Sequence, residues 1–97
     1  MKFAVITSYS PDDPKVAEVR PAHRKYLGEL LEKGKLAISG PFTEAGGSLI
    51  VFETDSKEET DAMMKADPFF AADVYSSYTI RPWNPLFFNN AALKPPV

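Results

Sequence analysis

Apolar and polar positions alternate with a period of two from Lys2 to Tyr9. Phe3, Val5, Thr7 and Tyr9 fall on one side, and Ala4, Ile6 and Ser8 on the other. Such a run, rich in β-branched and aromatic residues, predicts a strand. Both sides are fairly apolar, as in a strand covered on two faces. After the loop Ser10-Pro-Asp-Asp-Pro14 the period changes to that of a helix. Val16, Val19, Tyr26, Leu27 and Leu30 share one side, and Lys25, Glu29 and Glu32 the other. A first turn can begin near Pro14. The favoured start of the helix proper is Pro21, whose missing N–H suits a first turn; the alternative is a kink in a longer helix. Gly34 closes the helix as its C-cap.

The period returns to two over 36–42, with Leu36, Ile38, Gly40 and Phe42 on one face. Gly40-Pro41 predicts a bulge or a sheet edge there. Thr43 to Gly47 reads as a turn. Ser48 to Thr54, with Leu-Ile-Val-Phe inside it, is a third strand and the most buried one. Ser56 and Glu59 have the spacing of a capping box, which predicts a second helix to about Ala66 with Ala62, Met63 and Ala66 inward. Asp67 can cap a new short turn with Pro68 at its first position. Val74 to Trp83 alternates again and is the fourth strand. Residues 84–97 form a tail whose two phenylalanines call for something to pack on, with a loose end at Pro95-Pro96.

The order is β-α-β-β-α-β, which predicts an α+β, ferredoxin-like sandwich with both helices on one face of the sheet. The pattern does not decide which alternating set faces the helices. Ile50, Phe52, Tyr75 and Trp83, or their alternates, remain on the second face. An apolar second face needs a cover, and a second copy of the chain set face to face is the simplest one. A homodimer is therefore expected. No repeat or low-complexity segment interrupts the chain, and its length suits a single domain, with a core over 1–83 and the tail over 84–97.

Charge and composition narrow the function classes. The net charge is −2 and no basic stripe is present, so no nucleic-acid partner is expected. The chain has no cysteine, which removes disulfide and thiolate chemistry and suits a cytoplasmic setting. No apolar run reaches membrane-spanning length, and the apolar part of MKFAVITSYS is short for a signal peptide.

One residue conflicts with its position. His23, the sole histidine, lies on the apolar side of the first helix, four residues from both Val19 and Leu27. An imidazole left unpaired there costs about 1–3 kcal/mol, so it needs a partner. A backbone carbonyl would make it structural; a neighbouring carboxylate would suit general acid–base work. No second histidine or cysteine exists, so metal ligation is not expected. Asp67 is the candidate carboxylate, although an N-cap before Pro68 also explains it. A carboxylate that accepts an imidazole N–H fixes the tautomer and leaves the opposite nitrogen as a base. Arg20, three residues before His23, is either a solvated charge or part of an anion site with the helix N-terminus and the imidazole. Ser39-Gly40-Pro41 is either a plain strand end or a hydroxyl beside approachable backbone. No phosphate loop or dinucleotide fingerprint occurs.

Arg20-Pro21-x-His23, Tyr26-Leu27, Gly34-x-Leu36, Ser39-Gly40-Pro41, Asp67-Pro68-Phe69 and Ile80-Arg81-Pro82-Trp83, taken in order, resemble the YciI-like (YCII-related) family. The resemblance runs nearly to Trp83. It implies a dimeric α+β barrel of ferredoxin-like subunits, as in muconolactone isomerase. It also implies a pocket in which His23 and Asp67 are catalytic; Arg20, Ser39, Gly40, Pro41 and Phe69 are the candidates for holding the substrate there. Some members are linked to loss of HCl from chlorinated hydroxyquinols; that substrate is not carried over. The tail after Trp83 exceeds the family pattern.

The reading favoured is a small enzyme without cofactor or metal, moving a proton in an elimination or isomerisation of a small polar or anionic molecule. The alternative is a non-catalytic dimeric module that binds a small molecule. A third reading keeps His23 and Asp67 only as a buried polar pin that gives the core one arrangement.

Overall fold

In the computed structural model, which describes residues 1–95, the period-two runs become four strands. They are β1 (Lys2–Ser8), β2 (Leu36–Pro41), β3 (Ser48–Glu53) and β4 (Ser77–Trp83). The helices are α1 (Pro14–Glu32), α2 (Lys57–Lys65) and the single turn α3 (Pro68–Ala71), with a 3-10 turn at Asn90–Leu93 in the tail. The strands form one antiparallel sheet in the order β2-β3-β1-β4, giving a ferredoxin-like α+β fold.

Register settles which set faces the helices. Val5 stands opposite Ile50 and Phe3 opposite Phe52. Val5, Ile50 and Phe52 pack in the core with Val16, Leu30, Met64 and Phe69. The other face carries Ile6, Leu49 and Trp83, between 37% and 47% exposed. Of the four residues left open by the sequence pattern, Ile50 and Phe52 lie under the helices. Tyr75 precedes β4 and also joins the core, so only Trp83 remains on the open face.

Two expectations are corrected. Leu36 and Ile38 do not share a face: Leu36 pairs with Phe52 and Ile38 with Val51, so an extra residue between them turns Ile38 to the open side. The bulge therefore sits at the start of β2, and Gly40-Pro41 marks the end of an edge strand. On α2 it is Thr60 and Met64 that are fully buried, while Ala62 and Ala66 are exposed. Thr60 is accepted inside because its hydroxyl lies 2.7 Å from that of Thr54. In the tail, Leu86, Phe87 and Phe88 are 74%, 96% and 71% exposed on this chain. The expected loose end at Pro95-Pro96 lies partly outside the described residues. Among those residues no helix is long and apolar enough to cross a membrane.

Candidate functional site

The site is built on α1, and α1 starts earlier than expected. Asp13 is its N-cap, accepting from the Lys15 amide at 3.0 Å, and Pro14 takes the first position. Pro21 lies inside the helix, so the alternative of one longer helix is the correct one. An interior proline loses a hydrogen bond and crowds the preceding turn. Val16, buried in the core one turn before it, gives the chain reason to stay helical through that point. His23 therefore stands well inside α1, and the helix N-terminus does not take part in an anion site beside it. At the other end Gly34, at φ +74°, allows the Lys35 amide to reach the Leu30 carbonyl and close the helix.

His23 faces inward and its Nδ1 meets both oxygens of Asp67, at 2.8 and 3.0 Å. Asp67 is 1% exposed and also accepts the Phe69 amide at 2.9 Å and the Tyr75 hydroxyl at 2.8 Å. The two readings of Asp67 therefore coexist: it caps α3 and holds the imidazole. Three donors converge on one buried carboxylate, the arrangement a buried acceptor requires. Because a carboxylate accepts, Nδ1 carries the hydrogen and the lone pair of the neutral ring is on Nε2. Nε2 has no partner among the described residues, and no fully buried side-chain nitrogen or oxygen there lacks one, so solvent reaches it. The Phe69 ring stacks on the imidazole, 3.8 Å between centroids and 7° from parallel, and fixes its plane. Burial, and then the charge of Asp67, push the Tyr75 hydroxyl far above the usual tyrosine range, so it stays a donor. The same two causes raise Tyr26.

A cavity of about 440 Å³ opens between α1 and the β2 edge. Arg20, His23 and Arg24 line it from α1, Ser39, Gly40 and Pro41 from β2, and Phe69 from α3. Asp67 sits behind the imidazole and does not line it. Every residue singled out for substrate contact thus lines this one cavity, from three different elements. Arg24 and Tyr75 were not singled out. Arg24 is one helical turn after Arg20, which was a usable signal. Tyr75 had no signal in spacing: the chain reverses at Asp73, with φ +60°, to bring it back. Among the described residues no group of three or more His, Cys, Asp or Glu side chains is placed to hold a metal ion.

Protein YciI of Escherichia coli O6:H1 is 35% identical, in a match covering 71% of this chain and 81% of the relative. An uncharacterized Bacillus subtilis protein, YjpA, is 38% identical over 61 residues, 63% of this chain and 71% of the relative. Among solved structures the fold matches a 5-chloro-2-hydroxyhydroquinone dehydrochlorinase, TftG, from Burkholderia phenoliruptrix in complex with 2,5-dihydroxybenzoquinone. That match has a TM-score of 0.76 and 23% identity, and covers 87% of this chain and 94% of the other. The YCII-related domain matches residues 1–84, and with it the chain is a member of the YCII-related family.

Proposed function

We propose that the cavity is the active site of a small enzyme that needs no cofactor and moves a proton through His23. Nε2 takes a proton from the substrate. The electrons of the broken bond form a double bond, and either a leaving group departs with its own pair or the same nitrogen returns the proton elsewhere. Asp67 acts as a positioning residue, holding Nδ1–H and the ring tautomer. Arg20, Ser39, Gly40 and Pro41 hold a small polar or anionic molecule, and Phe69 supplies a flat wall. The observation that carries this reading is an imidazole fixed on one nitrogen by a buried carboxylate and open on the other to a cavity. A shared fold with a dehydrochlorinase supports elimination as the reaction class.

The enzyme is proposed to work in the cytoplasm as a homodimer, without nucleic acid or membrane. The half-exposed apolar residues of the open sheet face support the dimer.

The test is turnover of a panel of lactones and hydroxyquinols by the wild type and His23→Gln. A positioned acid–base group contributes about 10²–10⁴-fold, so the variant should lose activity by that order. Equal turnover by both, on any substrate found, removes His23 from the chemistry. Binding that survives with no turnover by the wild type favours the binding-module alternative.

A further inference from the structure

Arg20 and Arg24 stand one turn apart on the cavity side of α1. Among the described residues neither joins a salt bridge, on a chain of net charge −2. Like charges at that spacing repel, and an anion between them relieves the repulsion. Further along the same stripe the character of the wall changes. Leu31 is 56% exposed at the cavity, with Leu27 one turn before it on the same wall. In order along the helix axis come Arg20, then His23 with Arg24, then Leu27 and Leu31. From Arg24 to Leu31 the axis advances about 10 Å, the length of one ring with a short side chain. The cavity is thus cationic at one end and apolar at the other, with the reactive nitrogen beside the cationic end.

We propose that the site takes an amphiphilic organic acid. Its carboxylate lies between Arg20 and Arg24, and its apolar body covers Leu27 and Leu31. Arg24 is then the residue that sets specificity for the anion, and Leu31 the one that sets it for the body. This rests on the cavity being the functional site, as proposed above, and names the class of molecule it accepts. The carbon that exchanges a proton with Nε2 is near the carboxylate, because Arg20 and His23, three residues apart on α1, are neighbours on the helix surface and line the same cavity.

The experiment measures binding, not turnover. Phenylpropionate, its neutral amide and acetate are titrated into the full chain by calorimetry and by the ring resonances of His23. Phenylpropionate should bind tightest, with the amide and acetate each about tenfold weaker or worse, in keeping with a charge-assisted hydrogen bond and a buried ring. Arg24→Gln should weaken phenylpropionate about tenfold and leave the amide unchanged. Leu31→Ser should weaken phenylpropionate and the amide but not acetate. Both side chains are exposed, so both variants should keep the wild-type circular dichroism. Equal affinity for acid and amide, indifference to Arg24→Gln, or no binding of phenylpropionate at millimolar concentration each overturns the assignment. A chain that binds the acid as expected but turns over nothing, or turns over equally well as His23→Gln, loses the catalytic reading and keeps this one.

Discussion

Asp67 carries two structural duties at once. It ends the region of α2 by capping α3, and it satisfies His23 and Tyr75 from the same two oxygens. Removing it strands an imidazole, a phenol and a backbone N–H in a buried region. Asp67→Ala should therefore cost about 3–5 kcal/mol, the range for breaking a buried polar pair, read from urea unfolding. Asp67→Asn keeps a capping oxygen, so its loss should be clearly smaller. Equal losses for the two variants would show that capping contributes nothing. His23 was legible as an anomaly in the sequence because an apolar helix face has a strict spacing. The Tyr75 hydroxyl was not legible, because eight residues of separation say nothing about a reversal at Asp73.

At the scale of elements, side-chain hydrogen bonds tie helix to sheet. The Tyr78 hydroxyl on β4 donates to Asp61 on α2 at 2.6 Å. Partial burial first, then that bond, push Tyr78 up to about 12 from an ordinary 10.0. The protonated form is the one the fold prefers. Its contribution is therefore complete below pH 10 and is lost as pH rises through about 12. Tyr75 shifts in the same direction and adds to the loss. Urea midpoints should be level through neutral pH and fall above pH 10, with tyrosinate absorbance appearing as the chain unfolds. Tyrosinate that develops fully at pH 10 in a still folded chain contradicts this. The start of α1 shows why one element was misplaced. Pro21 has the chemistry of a first turn, but Asp13-Pro14 has it too, and the burial of Val16 decides in favour of the earlier start.

On the whole molecule, one sheet face is occupied by helices, and among the described residues no helix covers the other. Ile6, Leu49 and Trp83 on that face, and Leu86, Phe87 and Phe88 beyond it, are the chain's main exposed apolar surface. If the open faces of two copies meet, Ile6→Lys places a charge in the interface and should yield monomers with the fold retained. Sedimentation of both proteins checks this. A wild type that sediments as a monomer at micromolar concentration removes the dimer from the proposal. The cavity opens at the β2 edge, and its lining from α1 and α3 lies on the helix side of the sheet.

Period, caps and turn residues determined the element order, and with it the ferredoxin-like sheet, because these are interactions within a few residues of one another. They also put His23 on the inward face of its helix. The tertiary structure decided what a local pattern cannot carry. It set the register that sends Ile50 and Phe52 beneath the helices, and the bulge that turns Ile38 outward. It determined the choice of Thr60 over Ala62 on α2, and it gathered Phe69 and Tyr75 around a single imidazole and carboxylate. Each of these depends on which distant segment fills the neighbouring space, and close packing settles that only when the whole chain is in place.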